Sequence, residues 1–319
     1  MSLDEKVGQL VIAGLVGPYA DDAAREAISK YHIGGVNLLG RNIKERNQVI
    51  KLITDLQAVA AVPLFIAVDQ EGGSISRLRF LKELTPQYSI RTARQARAVA
   101  VSRGKELKEL GVNMNFSPVL DYVTSERSYL WPRVFRGNVA AVASLGQAMM
   151  EGYKAAGVVS VPKHFPGYGN VKPDPHASNV SLKTDAKGLA VSLVPFRHIL
   201  SAGGAGAVMT AHIQVPFFDV KSATVSGKFI TQLLRKGWGF DGLVITDDIE
   251  MVSAGKSVGE TAVESIKAGA DVVIVSLTPE KYKVVFESLK NAVLKGDITE
   301  QRLNESVGRI LKLKPLYKI

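Results

Sequence analysis

The sequence predicts an α/β fold, a single (β/α)8 TIM-type barrel with a C-terminal closing helix, over residues 1–319. Short, continuous apolar runs rich in β-branched residues alternate with helical segments, a pattern typical of a parallel sheet covered on both faces. Eight such units favour the closed barrel over an open doubly wound sheet, and no G-x-G-x-x-G follows the first strand, which weakens a dinucleotide-binding alternative. The predicted strands are residues 7–16, 34–39, 63–69, 112–118, 158–165, 206–213, 242–248 and 271–276.

The helical segments between these strands show the apolar spacing of amphipathic helices. The clearest of them are residues 22–30, 43–58, 92–110, 140–156, 226–236 and 258–268, and residues 296–314 read as the closing helix. Glycine follows several of these segments just before the next strand, as in LGVN at 110–113, AAGVV at 155–159 and WGFDGLV at 238–244. Glycine accepts the left-handed backbone that ends a helix, so these junctions are predicted helix ends.

The composition excludes several classes of site. The chain has no cysteine, which excludes disulfides, a thiolate nucleophile and Cys-ligated zinc or iron–sulfur sites. Its formal charge of +10 is scattered through helical segments, so it indicates a solvated basic surface rather than a nucleic-acid site. The N-terminus lacks a basic n-region and no apolar run reaches the roughly 18 residues of a membrane span. We therefore expect a cytoplasmic protein without a membrane partner.

Polar residues gather at the ends of five consecutive predicted strands, where barrels carry their chemistry. Each alone is weak evidence, because an aspartate after a strand is often only a helix N-cap. Together they predict one polar site. These residues are Asp69-Gln70-Glu71, residues 115–121, Lys163-His164, His212 and Asp247-Asp248.

Carboxylates at a barrel mouth suggest cleavage of a glycosidic bond, with one group as nucleophile and a second as acid and base. Asp247 and Asp248 cannot share these roles, because neighbours on a strand point to opposite faces. The irregular segment 163–179, KHFPGYGNVKPDPHASN, offers the second group. Asp174 beside His176 would raise the imidazole pKa and supply a protonated acid.

Several stretches of the chain resemble glycoside hydrolase family 3, in its β-N-acetylglucosaminidase branch. KHFPGYGNVKPDPH is similar, without a gap, to the K-H-F-P-G-H-G-(x)4-D-S-H signature of that branch. VDQEGGSISRL (68–78) resembles its D-x-E-G-G-R-V-x-R segment, and LVITDDIEM (243–251) resembles its nucleophile strand. NFSPVLD (115–121) and the closing helix also fit, so the resemblance covers essentially the whole chain.

The resemblance implies a role for each matched residue. Asp247 would be the nucleophile, His176 the acid/base and Asp174 its orienting partner. The terminal sugar would be bound by Asp69, Arg77, Arg133, Lys163 and His164, with Arg127 as a competing candidate for the role of Arg133. Three departures are Tyr168 for the usual second histidine, Pro175 for serine and Ser74 for arginine. We further predict that residues 166–169 form a hinge-like turn.

By this resemblance the chain is expected to be a retaining exo-β-N-acetylglucosaminidase that releases terminal GlcNAc from muropeptides in cell-wall recycling, or from chito-oligosaccharides. It would need no cofactor or metal and would act as a monomer. Three alternatives stay open: phosphate in place of water as the acceptor, a Schiff-base aldolase through Lys163, and a non-catalytic sugar-binding barrel. A zinc site at His164, His176 and His212 lacks the usual ligand spacing.

Overall fold

The computed structural model describes residues 1–172, 180–201, 205–251 and 257–319, and it forms a barrel of eight parallel strands. The pairing order is β5-β4-β3-β2-β1-β8-β7-β6, and every pair along it is parallel. The predicted fold class is thereby confirmed. The strands are β1 Val11–Gly14, β2 Gly35–Leu38, β3 Phe65–Val68, β4 Met114–Asn115, β5 Val159–Ser160, β6 Ala207–Thr210, β7 Leu243–Asp248 and β8 Val272–Val275.

The seam between β5 and β6 is closed by the chain that follows β5. Phe165 forms an isolated parallel bridge with Thr210. Its N–H donates to the carbonyl of Met209 at 2.8 Å, and its own carbonyl accepts the N–H of Ala211 at 2.7 Å. Lys163 forms a second parallel bridge, to Val119 beyond β4. The barrel is therefore completed by the same short stretch that carries Lys163 and His164.

Nine α-helices surround the strands within the described residues. They are α1 Leu3–Gln9, α2 Asp22–Ser29, α3 Arg46–Gln57, α4 Ala93–Glu109, α5 Val139–Ala155, α6 Ala186–Leu200, α7 Val258–Ala268, α8 Lys281–Leu294 and α9 Glu300–Leu316. A π-helix at Lys228–Gly237 lies between β6 and β7. Side-chain oxygens at the N-caps bind free N–H groups of the first turn in most α-helices, as Thr92 does for Gln95 and Asn138 for Ala141.

The first predicted strand begins too early. A helix occupies Leu3–Gln9, and the strand starts only at Val11. Ser2 and Glu5 form a capping box, each bonding to the backbone of the other, and this favours a helical turn at the point where the apolar run begins. The predicted helix ends at glycine are confirmed, because Gly111, Gly157 and Gly239 have φ angles of 88°, 73° and 67°.

Two small sheets lie among the loops that follow the barrel strands. A hairpin after β3 pairs Gln70–Gly72 with Ile75–Ser76. After β6, Ile213–Val215 pairs with Asp219–Ser222 and, in parallel, with Val180–Ser181. A single 3₁₀ turn, Trp131–Arg133, lies in the connection from β4 to α5. Within the ranges described above, no helix is both long and apolar enough to cross a bilayer.

A buried lysine lies far from these loops, in the closing helix α9. Lys314 is 3% exposed, and its Nζ donates to Oε1 of Gln9 at 2.8 Å. The same Nζ lies 4.9 Å from the ring centroid of Phe65, the first residue of β3. Burial lowers the pKa of Lys314 to about 7. This lysine therefore joins α9 to α1 and to the barrel wall.

Candidate active site

Lys163 follows β5, and its ammonium lies between two carboxylates. Its Nζ is 2.6 Å from Oδ1 of Asp69 and 2.6 Å from Oε1 of Glu71, and the side chain is buried. Burial works to lower the pKa of Lys163, but Asp69 and Glu71 outweigh it and raise that pKa above its ordinary value. The side chain is held as an ammonium without a free lone pair, which disfavours a Schiff-base aldolase.

Glu71 also holds Arg133, the arginine of the Trp131–Arg133 turn. Arg133 forms two parallel bonds to the carboxylate, Nε to Oε2 at 3.0 Å and Nη2 to Oε1 at 2.7 Å. Burial works to raise the pKa of Glu71, but the charges of Arg133 and Lys163 outweigh it and lower that pKa to about 2. Glu71 was predicted as part of the polar strand-end group, but no role was assigned to it; the D-x-E spacing that follows β3 could have indicated one.

His164 is oriented by Asp121, a buried aspartate in the stretch that follows β4. The imidazole Nδ1 lies 2.8 Å from Oδ2 of Asp121, and the backbone N–H of His164 donates to the same oxygen at 3.1 Å. The other ring nitrogen, Nε2, is 3.4 Å from Nη2 of Arg133. A continuous network of polar contacts therefore runs from Asp69 to Asp121. Asp121 is the second residue of the predicted polar group to which sequence reasoning gave no role, and its signal was the end of the NFSPVLD stretch.

Asp247 is the penultimate residue of β7, and it carries an ionised carboxylate. Its Oδ1 accepts the backbone N–H of Asp248 at 2.8 Å. Burial works to raise the pKa of Asp247, but electrostatic interaction with His164, His212 and Lys163 and that hydrogen bond hold the pKa below its ordinary value. An ionised carboxylate at a barrel mouth suits nucleophilic attack on a sugar carbon.

Asp248 bonds away from its neighbour, as the alternation of a strand requires. Its Oδ2 accepts the hydroxyl of Ser276 at 2.6 Å and the backbone N–H of Ser276 at 3.0 Å. Its Oδ1 accepts the N–H of Glu250 at 3.0 Å. Burial raises the pKa of Asp248 to about 6. These contacts join β7 to the end of β8, a structural role.

His212 and Tyr168 lie beside Asp247. Nε2 of His212 is 2.9 Å from the carbonyl oxygen of Asp248, and Nδ1 of this buried ring has no hydrogen-bond partner among the described residues. Burial, against the pull of Asp247, lowers the pKa of His212, so the imidazole is neutral. The hydroxyl of Tyr168 accepts the backbone N–H of His212 at 3.2 Å.

The other predicted residues fall in different places. Arg77 follows the hairpin, and its side chain is exposed while its N–H donates to the carbonyl of Asp69 at 3.4 Å. Of the two competing arginines, Arg133 lies in the network and Arg127 is exposed. Asp174 and His176, with Pro175, lie outside the described residues, so their predicted roles stay predictions.

The predicted turn at residues 166–169 is present, and it is packed tightly in place. Tyr168 is only 3% exposed, and its N–H donates to Oδ1 of Asp121 at 2.6 Å. Gly167 donates its N–H to the carbonyl of His164 at 2.7 Å, and Ser192 donates its hydroxyl to the carbonyl of Pro166 at 2.9 Å. Proline and glycine serve a tight, packed turn here, because a Cβ on Gly167 would lie 2.3 Å from the Ser192 hydroxyl.

Comparison with known proteins agrees with this geometry. The model of the glycosyl hydrolase family 3 N-terminal domain matches residues 2–313. A beta-hexosaminidase from Nitrosomonas eutropha is 32% identical over 95% of this chain and 92% of its own length, and beta-hexosaminidase A from Pseudoalteromonas piscicida is 32% identical over 91% of this chain and 54% of its own.

A solved structure, a glycoside hydrolase family 3 beta-N-acetylglucosaminidase from a Paenibacillus species, superimposes with a TM-score of 0.96 at 39% identity. That similarity covers 100% of this chain and 63% of the Paenibacillus chain. The chain thus spans between about half and two thirds of these two longer relatives, and nearly all of the Nitrosomonas relative.

Proposed function

The chain belongs to glycosyl hydrolase family 3, and we propose that it is a retaining exo-β-N-acetylglucosaminidase acting on terminal β-linked GlcNAc of muropeptides or chito-oligosaccharides. One observation carries this proposal. Asp247 presents an ionised carboxylate at the barrel mouth, beside an ordered network that contains Lys163 and His164. The names of the relatives, beta-hexosaminidase and beta-N-acetylglucosaminidase, support the choice of sugar.

In the proposed complex the network binds the terminal sugar through its hydroxyls. Asp69 is partly exposed and offers acceptor oxygens, and the Lys163 ammonium beside it has one N–H left to donate after its bonds to Asp69 and Glu71. Glu71 and Arg133 hold these groups in place, so little side-chain entropy remains to be lost when the sugar binds. Fixed polar groups around a reacting centre are what transition-state stabilisation requires.

The chemistry would proceed in two displacements. The carboxylate of Asp247 attacks the anomeric carbon, the glycosidic C–O bond breaks, and His176 donates its proton to the departing oxygen. In the second step His176 takes a proton from water, the hydroxide attacks the same carbon, and the ester bond to Asp247 breaks. The part of His176 rests on the sequence motif alone.

An assay with chromogenic glycosides tests the activity. The protein should release the chromophore from the β-GlcNAc derivative far faster than from the glucoside or the xyloside. A mechanism-based fluoro-sugar of the GlcNAc type should label Asp247, and Asp247→Ala should abolish turnover. Label on another residue, or turnover that survives in Asp247→Ala, would remove the assignment.

A leaving-group series tests His176. His176→Ala should slow glycosides with poor leaving groups much more than activated aryl glycosides, because only the former need a proton in the first step. Equal losses on both classes would show that His176 is not the acid. His198 is a surface histidine bonded to Gln147, so His198→Ala is a matched control that should leave both rates unchanged.

A further inference from the structure

Tyr168 stands where the family signature has a histidine, and the proposed chemistry gives it no task. It lies in the barrel wall rather than on the surface, with 3% of its area exposed. Its backbone N–H donates to Oδ1 of Asp121 at 2.6 Å. Its ring meets that of His164 edge to face, with centroids 5.3 Å apart. The side chain is thus fixed at its root by the aspartate that also orients His164.

The other end of Tyr168 bonds to His212, just beyond β6. The phenolic oxygen accepts the backbone N–H of His212 at 3.2 Å. Nε2 of His212 is bonded to the carbonyl oxygen of Asp248 at 2.9 Å. The N–H of Asp248 in turn donates to Oδ1 of Asp247 at 2.8 Å. Three consecutive hydrogen bonds therefore connect the phenol to the Asp247 carboxylate.

The Tyr168 hydroxyl can also donate a hydrogen bond. A tyrosine hydroxyl can accept and also donate, and the N–H of His212 uses its acceptor side. Burial raises the pKa of Tyr168 well above its ordinary value, and the charges of Asp247 and Asp121 raise it further. The O–H therefore keeps its proton. Of those two carboxylates, Asp247 acts the more strongly on the phenol.

We propose that Tyr168 is a positioning residue for the nucleophile: it holds His212, and through it the carbonyl of Asp248, the residue whose backbone N–H binds the Asp247 carboxylate. This inference rests on the proposed function, because it takes Asp247 as the reacting group. It assigns to this chain a phenol in the task of fixing the carboxylate, at a site where the signature has an imidazole.

The test compares two tyrosine-to-phenylalanine variants. Tyr168→Phe removes only the oxygen that binds His212. Tyr153→Phe is the matched control, because the hydroxyl of Tyr153, a fully buried residue of α5, accepts a bond of the same 3.2 Å length, from Nη1 of Arg103. Tyr168→Phe should lower kcat on an aryl β-GlcNAc glycoside about tenfold or more with KM within about twofold, the pattern of a lost transition-state contact. Tyr153→Phe should change neither.

The pH profile adds a readout that general destabilisation does not move. The acid limb of kcat/KM reports the carboxylate of the free enzyme. Without the phenol that limb should shift to higher pH, because the bond from the Asp248 N–H to the Asp247 carboxylate would loosen, and a hydrogen bond to the charged form lowers a carboxyl pKa. Titratable groups that surround Asp247 include Lys163 and His164 beyond β5, and His212 beyond β6, and all remain in the variant. An unshifted limb with unchanged kcat would overturn the proposal.

Two further measurements separate the ways in which the test can fail. Tyr168→His restores the residue of the signature and, with one acceptor and one donor nitrogen, should recover kcat above the Tyr168→Phe value. Crystal structures of both phenylalanine variants should show the Asp247 carboxylate displaced in Tyr168→Phe and not in Tyr153→Phe. If the carboxylate is displaced in Tyr168→Phe but the wild-type protein is inactive on GlcNAc glycosides, the proposed function is refuted and the positioning role stands. An undisplaced carboxylate would refute the positioning role itself.

Discussion

Replacing Lys314 with methionine should stabilise the protein, and the gain should shrink as the pH rises. Lys314 is buried in α9, with its Nζ bonded to Gln9, and burial alone lowers its pKa from 10.5 to about 7. The unfolded chain therefore keeps a proton on this amine at pH values where the folded chain has released it. Stability due to this group rises with pH between those two values and is lowest below pH 7.

The size of the effect follows from the pKa difference. One pKa unit corresponds to about 1.4 kcal/mol, so a shift of about 3.5 units costs the folded state about 5 kcal/mol at acid pH. Methionine has a similar apolar length and no titration. Integrated between pH 7 and 9.5, the advantage of Lys314→Met over the wild type should fall by about 3 kcal/mol.

Thermal unfolding at the two pH values measures this difference. For a chain of 319 residues, about 3 kcal/mol corresponds to a change of about 4 °C in Tm. Lys312→Met is the control, because Lys312 lies on the same helix with its side chain 69% exposed. The same pH dependence in both variants would show that burial of Lys314 does not depress its pKa, and the reasoning would fail.

Three further predictions concern the site. Glu71→Gln should lower the unfolding free energy at pH 7 by about 3 kcal/mol, because the pKa of Glu71 is lowered to about 2 in the folded protein. This loss should disappear as the pH falls from 4.5 toward 2, and urea titrations at pH 7 and pH 3 measure it. Asp248→Asn should remain at least about a hundredfold faster than Asp247→Asn on an aryl GlcNAc glycoside, since Asp248 bonds to Ser276, and equal rates would contradict its structural role. Phosphate added to the assay should leave GlcNAc as the product, because Lys163 is already paired with two carboxylates, and phosphorus NMR would reveal a sugar phosphate if this is wrong.

The barrel was predictable from sequence because each of its strands lies in a short apolar run bounded by helix patterns. The start of β1 was not, because Val7 and Leu10 satisfy a helical and an extended pattern equally, and only the Ser2–Glu5 capping box decides between them. The side-chain period identifies a buried face, but it does not say which backbone conformation presents that face.

Strand-end residues were predictable as a group, but their partners were not. Glu71 and Arg133 are 62 residues apart, and nothing local to either residue reports the other. The packing of the predicted turn at residues 166–169 could not be read from sequence for a related reason. Glycine and proline mark a turn at residues 166–169, yet whether a turn is mobile depends on what accepts its N–H groups, and Asp121 does so from a different loop.

The closure of the barrel at Phe165 and Thr210 limits which mutations can be accepted here during evolution. The backbone that seals the seam is the backbone that carries Lys163 and His164. Substitution of either side chain would alter the proposed sugar contacts and leave the backbone of the seam intact. An insertion or deletion within residues 163–165 would open the barrel at this seam and displace Lys163 and His164 together. We therefore expect lineages of this fold to diversify here by exchanging side chains, and to keep the spacing of this stretch unchanged.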